Sequence, residues 1–120
     1  MTPVTDNTET VVRHHLQAFL EQHGLDAILS DYADDACLLS EDRAYCGKQA
    51  IGAFFGQFIG ALSADAIAQF TLRSLRVQGE VAYITWSAGA ELPLGTDTFV
   101  VREGRIASQT FAMHAVPVHQ

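Results

Sequence analysis

The sequence contains few positively charged residues, and this scarcity excludes several classes of partner. It has 7 Lys and Arg against 14 Asp and Glu, which gives a formal net charge of −7. A protein that binds a phosphate backbone or an anionic membrane surface needs a stripe of basic residues. The arginines here are scattered along the chain. We therefore expect no nucleic-acid partner and no membrane partner.

Long apolar runs are also missing. The most apolar stretch, residues 50–62, is interrupted by Gln57 and is shorter than the roughly 20 residues that cross a bilayer. The N-terminus is polar and acidic, whereas a secretion signal has a basic start followed by an apolar run. The expected location is therefore the cytoplasm.

Cysteines are few, and the spacings typical of metal sites are absent. Cys37 and Cys46 flank a predicted strand–turn–strand and could face each other, but in a reducing cytoplasm we expect free thiols. No CxxC, HxxxH or HExxH spacing occurs among the five histidines and two cysteines. We expect neither a metal nor a cofactor.

Hydrophobic periodicity predicts helices first and strands afterwards. With 120 residues and 48% hydrophobic content, the chain is expected to form one domain over residues 1–120. Apolar residues at helical spacing predict a helix that ends before Gly24, a short one over residues 25–32, and a third, strongly amphipathic one opened by Gly47. Predicted strands cover residues 37–39, 44–46, 67–77, 81–90, 94–102 and 105–116. This order predicts an α+β domain whose sheet curls over the helices and leaves a cavity.

Asp97 is the strongest candidate for a functional residue. Alternation along its strand places Asp97, Phe99 and Val101 on one face of the sheet. A carboxylate among apolar neighbours costs stability unless it is paired or protonated, and such groups concentrate at functional sites. We interpret Asp97 as an acid inside a pocket, with a position on the wet face or at the strand end as the alternative.

Several short motifs resemble the nuclear transport factor 2-like superfamily, in particular its SnoaL-like and ketosteroid isomerase-like branches. They are Leu-Asp-Ala-Ile at 25–28, Tyr-Ala-Asp-Asp-Ala at 32–36, Gly-Lys-Gln-Ala-Ile at 47–51 and Gly-Arg-Ile at 104–106. Their order extends over nearly the whole chain, although each motif is short. The resemblance implies a cone-shaped curved antiparallel sheet wrapped around N-terminal helices, with an internal ligand pocket, and often a homodimer.

Only part of the ketosteroid isomerase site has matching residues in this sequence. Asp97 matches the acid that donates a hydrogen bond to an oxyanion. The oxyanion tyrosine falls at Leu16, which cannot polarise a carbonyl, and the catalytic base falls at Ser40. Ketosteroid isomerisation itself is therefore not expected. The alternatives for a proton-transfer partner of Asp97 are Glu41, Asp42, Tyr83 and His15.

The same resemblance implies which side chains line the pocket. The predicted ligand-binding residues besides Asp97 are Leu16, Phe55, Tyr83, Thr85, Ser87, Phe99, Gln109, Phe111 and Met113. The opposite face of the middle strand would then carry Ala82, Ile84, Trp86 and Ala88, and such an apolar outer face predicts a homodimer through the convex side of the sheet. A one-residue shift in strand alignment is the alternative, and it would place Trp86 inside.

Two functions follow from these expectations. The first is a cofactor-independent isomerase, cyclase or hydratase that uses Asp97 as its catalytic acid or base on a small, fairly apolar or partly polar organic ligand. The second is a non-catalytic ligand-binding or dimerisation domain of the same fold.

Overall fold

A computed structural model of the protein describes residues 3–116, in which helices cover one face of a six-stranded sheet. The four helices are α1 (Pro3–Leu20), α2 (Leu25–Leu29), α3 (Lys48–Ala61) and α4 (Ala64–Ala68). The six strands are β1 (Tyr32–Leu39), β2 (Ala44–Cys46), β3 (Phe70–Gln78), β4 (Val81–Ala88), β5 (Leu94–Arg102) and β6 (Arg105–His114).

The helix predictions are largely confirmed, with two differences. Gly24 and Gly47 have φ angles of 100° and 89° and stand directly before α2 and α3. Helix α2 ends at Leu29 rather than near Tyr32, because Tyr32 pairs with Ile106 and opens β1. Helix α4 was missed: residues 67–69 were predicted as strand, although Ser63 caps α4 by accepting a hydrogen bond from the Ala66 backbone N–H.

The strands form one sheet in the order β2-β1-β6-β5-β4-β3. All neighbouring strands are antiparallel except β1 and β6, which are parallel. The register shifts within the β3–β4, β5–β6 and β1–β6 pairs, and such bulges bend strands and increase their twist. The sheet is curved and unclosed, so the predicted α+β cone is confirmed.

The middle strand β4 has the opposite orientation to the one predicted. Tyr83 is 42% exposed, and Thr85 bonds to the Ser74 hydroxyl of β3 on the outer face, at 2.7 Å. Opposite Asp97 lies Ile84, so the even-numbered residues of β4 face the helices. The prediction that Tyr83, Thr85 and Ser87 face the cavity is therefore wrong, and the one-residue shift is the arrangement observed. The apolar set of β4 is buried in the core: Ala82, Ile84, Trp86 and Ala88.

This correction also changes the argument for a homodimer. The apolar face that was expected to pair two subunits belongs to the core. The outer face presents mostly small polar residues from adjoining strands, among them Thr71, Ser74, Thr85, Ser87, Thr96, Thr98, Ser108 and Thr110. The homodimer stays a prediction, but Trp86 and its neighbours do not support it.

The two cysteines form a disulfide, so the prediction of free thiols is wrong. Cys37 and Cys46 stand directly opposite each other in the β1–β2 pair, with their Cα atoms 4.1 Å apart. The strand–turn–strand in the sequence allows this pairing, and the expectation of free thiols depended on a reducing cytoplasm. Disulfides persist mainly in oxidising environments, so this bond does not favour the predicted cytoplasmic location. No helix within residues 3–116 is long and apolar enough to cross a membrane.

Candidate functional site

A small aromatic cavity lies between α1, α3 and the inner face of the sheet, with a volume of about 40 Å³. Such a cavity holds a few water molecules at most, whereas pockets for drug-sized ligands measure roughly 300–1,000 Å³. Its polar lining residues are His15, Asp97 and Gln109. The remaining lining residues are apolar, most of them aromatic: Leu16, Phe19, Phe54, Phe55, Phe58, Phe70, Ile84, Trp86, Phe99 and Phe111.

Asp97 is held by hydrogen bonds from both neighbouring strands. Trp86 of β4 donates its indole N–H to Oδ1 at 2.8 Å, and Gln109 of β6 donates an amide N–H to Oδ2 at 2.8 Å. Both donors are diagonal cross-strand neighbours of Asp97, a spacing that long side chains can reach. The Tyr32 hydroxyl in turn donates to Oε1 of Gln109. The carboxylate is thus the end of a chain of buried hydrogen bonds.

Burial raises the pKa of Asp97 from its ordinary value of 3.8 to about 6, while the hydrogen bonds from Trp86 and Gln109 act in the opposite direction. No Lys or Arg of residues 3–116 forms an ion pair with this carboxylate; the ion pairs in that range involve other residues. Asp97 is therefore mostly ionised at pH 7, as a buried negative charge without a counter-ion.

His15 approaches the same cavity from α1. Its ring lies among those of Tyr32, Phe55 and Phe99, with centroid distances of 5.4, 5.7 and 5.5 Å. Its Nδ1 is buried and has no hydrogen-bond partner within the described part of the chain. Burial, and to a lesser extent the neighbouring His14, lower the pKa of His15 from 6.5 to about 4, against a smaller opposing effect of a hydrogen bond to the Ile28 backbone. The imidazole is consequently neutral at pH 7.

Of the four side chains considered as partners of Asp97, only His15 lines the cavity. Glu41 and Asp42 are exposed in the turn between β1 and β2. Tyr83 lies on the outer face of the sheet. The sequence does not distinguish His15 from these three residues, because a histidine on a helix gives no sign of whether it is buried.

The other predicted lining residues are distributed as follows. Leu16, Phe55, Phe99, Gln109 and Phe111 lie in the cavity wall. Met113 lies further along β6 and lines two neighbouring grooves instead. Sequence analysis did not assign a site role to Tyr32, Phe54, Phe58 or Trp86, although Trp86 was the residue that the alternative alignment placed inside.

Gly95 is a further residue that the site requires. It stands opposite Trp86 in the β4–β5 pair, beneath the indole ring. A Cβ atom at this position would lie 2.1 Å from ring atoms of Trp86, which is far closer than atoms can pack. The missing side chain of Gly95 therefore gives the indole the space from which it reaches Asp97.

The site offers a limited set of groups to a ligand. The Trp86 N–H is used by Asp97, but Gln109 has a second amide N–H, and the Asp97 oxygens have lone pairs that accept no further side-chain bond within residues 3–116. His15 adds an imidazole ring to the cavity wall. Within residues 3–116, no group of three or more His, Cys, Asp or Glu side chains is placed to hold a metal ion.

Comparisons with solved structures show that NTF-2-like and SnoaL-like proteins share this α+β cone fold. An NTF-2-like protein of unknown function from Burkholderia xenovorans is 17% identical, with a TM-score of 0.74 over 96% of this chain and 88% of that chain. A SnoaL-like protein of unknown function from Burkholderia thailandensis is 20% identical, with a TM-score of 0.72 over 95% and 100%.

A third structure, a proposed ketosteroid isomerase from Kribbella flavida, is 16% identical, with a TM-score of 0.72 over 97% of this chain and 84% of that chain. No protein-family model and no curated protein matches the sequence. At these identities the likeness establishes the fold and not the activity.

Proposed function

We propose that the cavity binds a small organic ligand with an apolar body and one polar group, and that Asp97 acts on this ligand as a general base or acid. The observation that carries the proposal is the meeting of two unusual groups in one aromatic cavity. One is the Asp97 carboxylate, which is buried and forms no ion pair within residues 3–116, and the other is the neutral imidazole of His15 on the facing helix, whose Nδ1 has no partner in the same range. Perturbed ionisable groups that share a cavity are typical of functional sites.

The chemistry follows from the state of each group. A general base is most effective when its pKa lies near the working pH, and Asp97 meets this condition with a pKa of about 6. It would remove a proton from a C–H or O–H group and return it to another atom of the same molecule. Such a step serves isomerisation or cyclisation without a cofactor. In a hydration Asp97 would instead take the proton from water as the water oxygen adds to a double bond, and would return this proton to the neighbouring carbon. The similarity in fold to a proposed ketosteroid isomerase supports this class of reaction.

One observation favours a second candidate function, ligand binding without catalysis. The positions that carry the tyrosine and the base in ketosteroid isomerases hold Leu16, which lines the cavity without a donor, and Ser40, which bonds to Asp42 and to the Arg43 carbonyl in a turn. Within residues 3–116, stabilisation of an oxyanion in this cavity would depend on the second amide N–H of Gln109, because the Trp86 N–H is used by Asp97 and the unpaired nitrogen of a neutral His15 is an acceptor.

Proton exchange tests the two candidates against each other. Small ketones and lactones are incubated with the protein in D₂O, and loss of the α-proton signal is followed by NMR. Catalysis by Asp97 predicts exchange with the parent protein and with the exposed-site control Asp35→Asn, and a loss of at least about 100-fold with Asp97→Asn. Binding without exchange in all three proteins would support the second candidate. Absence of binding by every ligand class, measured by thermal shift, would contradict both.

Assembly and location stay predictions with tests of their own. A homodimer through the outer face of the sheet would cover Val81 and Tyr83, which are 43% and 42% exposed, and light scattering that gives the mass of a monomer would contradict it. A cytoplasmic location predicts that Cys37 and Cys46 are reduced in the cell. Alkylation in an acid-quenched lysate, followed by mass spectrometry, measures that state.

A further inference from the structure

We propose that the ligand of the Asp97 cavity is a small organic cation, a protonated amine or an alkylammonium ion, whose positive charge pairs with the Asp97 carboxylate inside a cage of aromatic rings. This inference rests on the proposed binding site but not on proton transfer by Asp97. It concerns the charge of the ligand, which the function proposed above leaves open.

The first argument is the missing counter-charge. Asp97 is 7% exposed and accepts hydrogen bonds from two neutral donors, Trp86 and Gln109. The titratable groups that face it are His15 from α1, which is neutral, and Tyr32 from β1, whose pKa is raised well above its ordinary value first by burial and then by the charge of Asp97. Helix α3 contributes only phenylalanines to the cavity wall. A buried charge is costly without an opposite charge, and no cationic side chain of residues 3–116 pairs with Asp97, so a cationic ligand would supply the missing charge.

The second argument is the free bonding capacity of the carboxylate. An ionised carboxylate has about four lone-pair sites, of which Trp86 and Gln109 occupy one on each oxygen. The remaining sites can accept N–H bonds from an ammonium group. A ligand that offers only acceptors, such as a second carboxylate or a phosphate, would meet like charge and no Lys or Arg in the cavity wall, where His15 is neutral.

The third argument is the aromatic wall. Phe111 contacts Phe54 and Phe58 edge to face, each at a centroid distance of 5.3 Å, and stacks with Trp86 at 6.4 Å. The faces of aromatic rings attract cations, and this attraction grows when water is excluded. Rings around a buried carboxylate therefore favour a positive charge with apolar substituents over a neutral molecule of the same shape.

The surface next to the cavity has the matching charge. A groove of about 220 Å³ shares Phe54 and Phe111 with the cavity and is lined on its outer side by the exposed Glu41 and Asp42. Arg43 pairs with Asp42 at 3.5 Å and offsets part of this charge, but the chain as a whole carries −7. The cavity of about 40 Å³ has room for an ammonium group with a short alkyl substituent, and the groove adjoins it at Phe54 and Phe111.

Matched pairs of charged and neutral ligands test the proposal. Butylammonium is compared with 1-butanol, and choline with its neutral isostere 3,3-dimethylbutan-1-ol. Binding is followed by NMR through the indole N–H of Trp86, the single tryptophan of the chain. At pH 7.5 we expect each cation to bind at least about tenfold more tightly than its neutral partner. At pH 5, where Asp97 is mostly protonated, this advantage falls about tenfold.

Two variants keep the test decisive. Asp97→Asn should abolish the preference for cations and leave the affinity for the neutral ligands within about twofold, while Asp35→Asn should change neither. If Asp97→Asn does not fold, Phe111→Leu removes a ring and retains apolar volume, and we expect it to weaken cation binding alone by about threefold.

The outcomes separate this inference from the function on which it rests. Neutral ligands that bind as tightly as cations would overturn the cation inference and leave the binding site intact. A preference for cations that persists in Asp97→Asn would also overturn it, because the charge would then be bound elsewhere. If no ligand of either charge binds, both the inference and the proposed binding function fail.

Discussion

Replacement of Asp97 by asparagine should make the protein more stable at neutral pH, although it changes the central residue of the site. The amide has the shape of the carboxylate but no charge. Its oxygen can accept the Trp86 indole N–H, and its N–H₂ can donate to Gln109 once that side-chain amide turns over. The turned Gln109 then donates to the Tyr32 hydroxyl, which can accept as well as donate. All three hydrogen bonds are retained: Trp86 still donates, and the other two bonds reverse their direction.

The magnitude follows from the pKa of Asp97, which burial raises from 3.8 to about 6. Because the folded-state pKa is the higher one, protonation of Asp97 stabilises the fold. This contribution is complete below about pH 3.8 and is lost as the pH rises through about 6. At 1.36 kcal/mol for each pKa unit, ionised Asp97 costs about 3 kcal/mol above pH 7. Asparagine avoids the cost of burying a charge, but its amide must also be desolvated. The expected gain in stability from Asp97→Asn is therefore at most about 3 kcal/mol.

Urea unfolding of the parent and Asp97→Asn proteins between pH 4 and pH 8 measures the effect. We expect the variant to be more stable by about 1–3 kcal/mol at pH 7.5, and the difference to shrink towards zero at pH 4. The exposed-site control Asp35→Asn should show no such dependence. A variant that is less stable than the parent at pH 7.5, or a difference that is constant across the pH range, would refute the reasoning.

Two other predictions concern groups that surround Asp97. His15→Leu should remove the contribution of His15, about 3 kcal/mol of stability that the parent loses as the pH falls from 6.5 to about 4. Because protonation of Asp97 adds a similar amount over this range, we expect the stability of the parent to change little and that of the variant to increase as the pH falls; identical profiles would contradict this, and the exposed His23→Leu is the control. Gly95→Ala should destabilise the fold by about 1–3 kcal/mol and shift the fluorescence of Trp86, because the new methyl group meets the indole. Gly60→Ala, at an exposed helical position without near neighbours, should instead stabilise by up to about 1 kcal/mol, and equal effects of the two glycine changes would contradict the packing argument.

Local patterns were sufficient for much of the architecture. The spacing of apolar residues located α3 and the strands from β4 to β6 to within a few residues, because helix and strand periods are properties of short segments. The alternation in β5 correctly placed Asp97 and Phe99 on one face, and this face is buried in the structure. Successive side chains of a strand point to opposite faces whatever their chemistry, so a charged residue can share a face with an aromatic one.

Relations between segments were harder to predict. Alternation divides β4 into two faces but does not say which of them faces the helices. The prediction therefore placed Tyr83 in the cavity and Trp86 on the outer face, and the structure has the reverse. Tyr32 fits the helical spacing of α2 and the buried face of β1 equally well, and only its pairing with Ile106 decided between them. The cross-strand alignment of Cys37 with Cys46 likewise depends on register.

The sequence by itself therefore determined the order of helices and strands, the acidic charge of the chain and the face of β5 that Asp97 shares with Phe99, because each depends on composition or on periodicity within one segment. Only the tertiary structure decided that Trp86 and Gln109 hold Asp97, that His15 faces the same cavity, and that the cavity measures about 40 Å³. These features depend on the register of β4, β5 and β6 and on the packing of α1, which is about 80 residues from Asp97 in the sequence. Both are set by the packing of the whole core.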